Sequence, residues 1–318
     1  MLRSSSSRVA RSLLVILIVT FAVTAMLSLA PGSVAGVILG ENATPDQVAA
    51  LNEKLGLDQP ILVQYWNWML NALQGDLGNS AITGQSVTAA IIERIPVTLE
   101  LAILAVSIAL MIAIPLAIIS ATRPGSRTDR VINAFSSMFL SIPAFVAGPV
   151  LIYLFAVQFN LFPVNGWSRI EEDGLLLNLR SAFLPALAIA LPEVASFHRL
   201  LRTDLITTLR EDYIAAARAK GMTGSFVLLR HAFRPSSFSL VTLFGINLGR
   251  AIGGAVIVES LFSLPGLGQL VVTSISARDI TMATGVVVFT AVVYVVINML
   301  IDFSYGFLDP RVRKGSTS

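Results

Sequence analysis

Six apolar runs, at about residues 12–30, 98–120, 132–158, 182–201, 237–258 and 284–305, constrain this chain more than any other feature. Crossing the hydrocarbon core of a bilayer takes about 20 mainly apolar residues as a helix. A backbone in lipid must satisfy its own hydrogen bonds, which leaves helices and closed barrels. These runs show none of the apolar–polar alternation of a barrel strand. Composition agrees: 55% of residues are hydrophobic and 13% charged, against about 25% charged in soluble domains. The chain is therefore expected to be an all-α polytopic membrane protein with six transmembrane helices.

The cations orient those spans, because cytoplasmic loops carry the excess of Lys and Arg. Arg3, Arg8 and Arg11 precede the first run, and Arg123, Arg127 and Arg130 follow the second. Arg199, Arg202, Arg210, Arg218, Lys220, Arg230 and Arg234 surround a polar island between the fourth and fifth, and Arg311, Arg313 and Lys314 end the chain. The other loops are poor in cations: 31–97 holds only Lys54 and Arg94, 159–181 only Arg169 and Arg180, and 259–283 only Arg278. Six spans with both termini in the cytoplasm satisfy every loop. The net charge of +3 then calls for no nucleic acid, since loop cations face anionic headgroups of membrane lipids. The first run has a basic start and small residues near Ala30. Its length and Pro31 favour an uncleaved first span over a signal peptide. Three segments result: 1–31 as tail and first span, 32–97 as an extracytoplasmic loop, and 98–318 as a five-helix core.

The long loop is patterned. Thr44-Pro45-Asp46-Gln47 reads as a helix start with Thr44 as N-cap, Val48, Leu51 and Leu55 follow at helical spacing, and Gly56 supplies a stop. A second amphipathic piece runs from Pro60 to Leu73, with Tyr65, Trp66, Trp68 and Met69 suited to a membrane interface. It reads as a helix lying on the outer surface, with docking of an external partner as the alternative. In the fifth run Gly245, Gly249 and Gly253 recur every fourth position and suggest close helix packing. Arg250 beside them is either a path residue or a packed arginine. Glu100, Glu193, Glu259 and Asp302 fall near span ends, where snorkelling is cheap. Phe262-Ser-Leu-Pro265-Gly266-Leu-Gly268 breaks the helix after the fifth run, as a gate loop or a plain turn. Pro115, Pro143, Pro149 and Pro192 mark further breaks within spans.

Catalytic patterns are missing. With no cysteine, disulfides, thiolate metal sites and cysteine nucleophiles are excluded. No phosphate loop, His-Glu-x-x-His or Gly-x-Ser-x-Gly occurs. His198 and His231, among arginines, lack the partners of a general base or metal ligand. The polar island, about 202–234, is the distinctive remainder. Leu205, Leu209, Tyr213 and Ala216 form a helical stripe that could continue the fourth span into water. Ala215-Ala216-Ala217 offers little bulk, so another protein can approach the backbone. Gly221 ends the helix and Lys220 suits its last turn.

Asp212-Tyr-Ile-Ala-Ala-Ala-Arg-Ala-Lys-Gly221, continuing as Val227-Leu-Leu-Arg-His-Ala232, resembles the cytoplasmic coupling loop of binding-protein-dependent ABC transporter permeases. Further segments resemble the oligopeptide/dipeptide/nickel branch, first-subunit type: Leu55-Gly-Leu-Asp-Gln-Pro60, Gln74-Gly-Asp-Leu-Gly78, Pro96-Val-Thr-Leu-Glu100, Glu259-Ser-Leu-Phe-Ser-Leu-Pro-Gly-Leu-Gly268 and Leu308-Asp-Pro-Arg311. Where the wider superfamily signature carries Glu, this chain has Ala215. The resemblance implies a type I importer permease in a prokaryotic inner membrane, with a coupling helix near 205–234. It implies a second permease subunit, two ABC ATPase subunits that bind ATP and Mg, and an extracytoplasmic substrate-binding protein. This chain itself would bind no cofactor or metal and catalyse nothing. Asp212, Tyr213, Ala215, Ala216, Ala217, Lys220 and Gly221 would face the ATPase, and Arg250, Glu259, Pro265 and Gly266 would belong to the path or gate. Di- or oligopeptides are the implied cargo, with nickel, glutathione or sugars as alternatives within the branch. An ATP-independent transporter or channel, or a scaffold that moves nothing, are the competing readings.

Overall fold

A computed structural model describes residues 2–29, 34–40, 43–56 and 58–308. The Ala30–Pro31 junction, the Asp-Pro-Arg end of the last motif and the cations Arg311, Arg313 and Lys314 lie outside the described residues, as do the side chains of Arg3, Arg8 and Asp302. Among the described residues the structure is helical, with one isolated bridge between Asn79 and Ser86. Three helices are long and apolar enough to cross a membrane: Val87–Thr122, Leu175–Thr208 and Ile280–Leu300. Two bent pairs, Arg127–Ser141 with Ala144–Gln158 and Gly224–Gly253 with Ala255–Leu261, bring the number to five if each is one span. Of the first run, the described apolar helix is Leu13–Met26.

The chain divides into two compact units: the residues up to Thr98 with Pro265–Val296, and Leu99–Leu264 with the chain from Ile297 on. The expected division put everything after residue 97 together. The first unit instead draws in 265–296, and its core shows why. Val87, Ala90 and Ile91 pack with Leu267, Leu270, Met282 and Val286.

In the first unit, α1 (Leu2–Leu29) and α2 (Val34–Leu39) precede α3 (Pro45–Leu55). Thr44 caps α3 in a capping box: Gln47 N–H donates to Thr44 Oγ1 and Thr44 N–H to Gln47 Oε1. Gly56 closes it with φ 68°. Then comes α4 (Ile61–Leu73), whose Tyr65 is buried, with its hydroxyl 2.6 Å from Thr20 Oγ1 and its ring edge-on to Phe21. Helix α5 (Val87–Thr122) begins in this unit.

The second unit takes α5 onward. Ala105, Ala109, Ala113, Ala117 and Ala121 are all nearly inaccessible, a small-residue ridge of the kind that lets helices approach in lipid. Helix α6 (Arg127–Ser141) meets α7 (Ala144–Leu151), which continues as a π-helical stretch, Ile152–Gln158, at a bend of 102°. Ile142 is extended there, φ −95° and ψ 110°, as a residue before proline prefers. The expected single span 132–158 is thus broken at Pro143. The other prolines singled out do not break their helices: α5 runs through Pro115, Pro149 lies inside α7, and α9 (Leu175–Thr208), after the short α8 (Ile170–Asp173), runs through Pro192, as it does through Pro185, which was not singled out. Helix α9 is the hub of the unit, packed by α6, α7 and the later helix Arg234–Leu261.

After α9 come α10 (Asp212–Ala219), α11 (Gly224–Phe226) with a π-helical stretch Val227–Phe233, and α12 (Arg234–Leu261). Helix α13 (Leu267–Ser276), which sequence patterning did not single out, and α14 (Ile280–Leu308) complete the chain. Asp279 caps α14 through Met282 N–H (3.1 Å) and accepts a hydrogen bond from Ser80 Oγ.

Candidate functional site: the helix between two spans

The polar island folds as a separate short helix. The expected continuous stripe from α9 does not form. Helix α9 stops at Thr208 and the chain turns through Leu209–Glu211, where Arg210 N–H donates to the Thr207 carbonyl and Glu211 N–H to that of Thr208. Glu211 and Asp212 then place negative charge at the start of α10, where the helix dipole favours it. Its end is a full Schellman motif. Gly221 N–H donates to the Arg218 carbonyl, Met222 N–H to that of Ala217, and Gly221 has φ 80°. Lys220 is the C-cap; Arg218 is the cation of the last turn.

Helix α10 is two-sided. Ile214 and Ala217 are buried, the first completely, and α10 packs on the π-helical stretch, which buries Val227 and Ala232. Asp212, Tyr213, Ala215, Ala216, Arg218, Lys220 and Gly221 are exposed. Ala217 therefore turns inward, away from the face it was expected to share with Ala216 and Gly221. Tyr213 spans both sides: 47% of it is exposed, yet its hydroxyl donates to the His231 carbonyl at 3.3 Å. Burial, and secondarily the charge of Glu211, raise this phenol above its ordinary range. Sequence reasoning missed Met222, Phe226 and Leu229, all exposed apolar residues in the segment that follows α10. Their signal was large apolar side chains within a segment otherwise suited to water.

A polar clasp holds the base of α9. Arg202 donates from Nε to Asp129 Oδ1 at 2.8 Å and from Nη2 to Oδ2 at 2.7 Å. Asp129 also accepts from Ser120 Oγ, from Gly125 N–H at 2.7 Å and from Asn133 Nδ2 at 2.7 Å. One turn away, His198 is fully buried with Nδ1 2.8 Å from Ser136 Oγ. It thus has a structural partner, which sequence reasoning did not foresee.

The expected path and packing residues lie on α12 and in the turn that leads into α13. Gly249 is buried and Gly245 half-buried, but Gly253 is exposed with nothing within 4 Å of where a Cβ would sit. The glycine series is therefore not one packed face within this chain. Close approach occurs instead at Gly148, where a Cβ would lie 2.4 Å from Leu261 Cδ2, and at Gly285, where it would lie 2.4 Å from Val87 Cγ1. Arg250 is exposed on α12. Glu259 is completely buried, which rules out the expected snorkelling. Pro265 is half-buried, and Gly266, buried, stands at the start of α13. Leu267 N–H there donates to Thr98 Oγ1 at 2.9 Å.

Comparison with known proteins bears on this arrangement. Residues 113–314 match the family model described as binding-protein-dependent transport system inner membrane component. Residues 1–102 match the N-terminal model of such membrane components. An oligopeptide transport system permease protein of Bacillus subtilis is 34% identical over 308 residues, 96% of this chain and 98% of that one. A protein of Sinorhizobium fredii named a probable peptide ABC transporter permease is 36% identical over 288 residues, 91% and 92% of the two chains. Among solved structures, the MetNI methionine ABC transporter in an inward-facing conformation superposes with a TM-score of 0.56 at 19% identity, over 69% of this chain and 96% of that one. An amino acid ABC transporter gives 0.52, also at 19% identity, over 68% and 92%. These two likenesses concern the fold.

Proposed function

This chain belongs to the family of binding-protein-dependent transport system inner membrane components, and we propose from that premise that it forms half of the translocation path of an ATP-driven peptide importer. The observation that carries the reading is the two-sided α10, clamped to its own chain by Ile214, Ala217 and Tyr213 and presenting Asp212, Ala215, Ala216 and Gly221 outward. Such a helix, tied between two apolar segments, transmits force well and offers no catalytic group. Peptide cargo is supported by the relatives' names.

In this reading six spans place both termini and α10 in the cytoplasm of a prokaryotic cell. A second permease subunit completes the path, two ATPase subunits bind ATP and Mg, and an external binding protein delivers the peptide. Closure of the ATPase pair moves α10 of each permease and switches the path between inward and outward access. Nucleotide can drive that switch only by binding the two states with different affinity. The exposed face of α10 makes the ATPase contact by shape: with Ala215 in place of an acid, small side chains admit the partner close to the backbone. Ala217 supports the helix from behind.

Gly221 separates backbone strain from shape. No atom lies within 4 Å of a Cβ placed there, so Gly221→Ala adds only left-handed strain of about 1 kcal/mol. Gly221→Trp adds the same strain and also bulk on the contact face. The alanine variant is expected to keep most peptide uptake. The tryptophan variant is expected to assemble with the ATPase subunits and hydrolyse ATP while uptake is lost. Wild-type uptake by Gly221→Trp would sink the assignment of this face.

A further inference from the structure

A half-open cleft of about 510 Å3 lies within the first unit, lined by α1, α3, α4 and the start of α14, with Glu53, Lys54, Asn67 and Asn71 among its exposed lining residues. Its volume falls in the range of about 300–1,000 Å3 typical of small-molecule sites, but its lining is unusually polar. Helix α4 contributes Gln64, Asn67 and Asn71, at i, i+3 and i+7 on one helical face. The preceding turn adds Gln59, whose carbonyl accepts from Gln64 Nε2 at 2.7 Å and so orients that amide. The end of α3 adds Glu53 and Lys54, and α14 adds Thr284.

Thr284 marks the wall as a site. It is 2% exposed, and its hydroxyl has no hydrogen-bond partner among the described residues. A helical threonine ordinarily returns its hydroxyl to a carbonyl one turn back, as Thr290 does to Val286 at 2.8 Å on the same helix. A buried polar group left without a partner calls for an explanation, and a polar ligand in the cleft provides one.

The lining also limits what that ligand is. Carboxamides both donate and accept, as a peptide group does. One carboxylate and one ammonium leave the lining without net charge. An anion would meet Glu53, a metal ion would find a single carboxylate, and a sugar would answer neither charge. A zwitterion with amide groups between its charged ends answers all of them. We propose that this cleft binds a short free peptide, of two or three residues, with its ammonium towards Glu53, its carboxylate towards Lys54 and its peptide groups against Asn67, Asn71 and the Thr284 hydroxyl. The site deepens the importer reading and rests on it for the side of the membrane to which the cleft opens. It would hold cargo on the permease itself, apart from the binding protein.

The test uses the full chain co-purified with its partner permease in lipid nanodiscs, without ATP or binding protein, titrated with alanyl-alanine and followed by saturation-transfer NMR. Saturable binding is expected, weakened about tenfold in Asn67→Leu/Asn71→Leu. N-acetyl-alanyl-alanine amide, which lacks both charges, is expected to bind about tenfold more weakly than the free dipeptide, and Glu53→Gln/Lys54→Gln is expected to abolish that difference. Absence of saturable binding, equal binding by the leucine variant, or a preference for maltose would overturn the proposal. Uptake by the intact importer is measured alongside: peptide uptake without binding in the cleft removes the site and keeps the importer reading. Binding of the dipeptide without peptide uptake removes that reading and keeps the site.

Discussion

At the scale of single residues, the chain depends on two glycines that hydropathy does not flag. A Cβ at Gly285 would meet Val87 Cγ1 at 2.4 Å and Leu77 Cβ at 3.7 Å, while one at Gly148 would meet Leu261 Cδ2, also at 2.4 Å. The equal distances hide unequal costs. Val87 is fully buried, and a β-branched side chain is stiff. Leu261 is 37% exposed, so its terminal methyl can swing outward and leave a contact of 3.3 Å with the buried Phe262 ring. Gly285→Ala is therefore expected to cost about 1–3 kcal/mol, the usual range for overpacking, and Gly148→Ala clearly less. Thermal unfolding in detergent orders the two variants. Adding Val87→Ala should restore much of the loss at Gly285, because residues in contact couple; a Gly285→Ala variant as stable as wild type would refute the close approach. The regular spacing of Gly245, Gly249 and Gly253 was legible in the sequence, yet spacing alone does not say which face meets a neighbour. The same four-residue period in Ala105 to Ala121 is masked by the apolar run around it, and that ridge is the one the fold buries.

At the scale of elements, local chemistry was the legible part. Thr44 with Gln47 starts α3, Gly56 ends it, and Gly221 ends α10, each through hydrogen bonds among near neighbours in sequence. The clasp on α9 was not legible, because Asp129 and Arg202 are 73 residues apart and each reads as an ordinary loop charge. Nor could a proline be read alone: at Pro143 the preceding residue is extended and the helix interrupted, while Pro115, Pro185 and Pro192 stay inside continuous helices. The clasp matters to function because α10 hangs from the end of α9. Asp129 is 4% exposed and Arg202 22%, so this is a largely buried pair, for which removing one partner costs about 3–5 kcal/mol. Arg202→Leu should leave the Asp129 charge stranded, increase hydrogen exchange at residues 209–223 and reduce uptake. Asp129→Asn/Arg202→Leu should be less damaging than Arg202→Leu alone, since no buried charge is left unpaired. If the double variant is the worse of the two, the ion pair is not what holds α9.

At the scale of the whole molecule, the number of times the chain crosses the membrane turns on the bend of 102° between α6 and α7. If the pair Arg127–Ser141 and Ala144–Gln158 crosses as one broken span, residues 123 and 171 lie on opposite sides. If it enters and leaves by the same face, they share a side, and every later loop inverts with them. The cation count favours crossing: the segment 202–234 is rich in Arg and Lys, whereas 159–181 has two cations against three acids, and cytoplasmic loops carry the positive excess. The absence of cysteine makes a direct test clean, because each introduced thiol is the only one in the chain. Gln85→Cys, Arg123→Cys, Glu171→Cys, Arg210→Cys and Ser276→Cys all replace exposed side chains. In intact cells a membrane-impermeant maleimide is expected to label positions 85, 171 and 276, and to reach 123 and 210 only after permeabilisation. Labelling of 210 from outside together with protection of 171 would show a re-entrant pair. It would also put α10 on the wrong side for any cytoplasmic ATPase, so this one pattern of labelling tests the topology and the coupling role together.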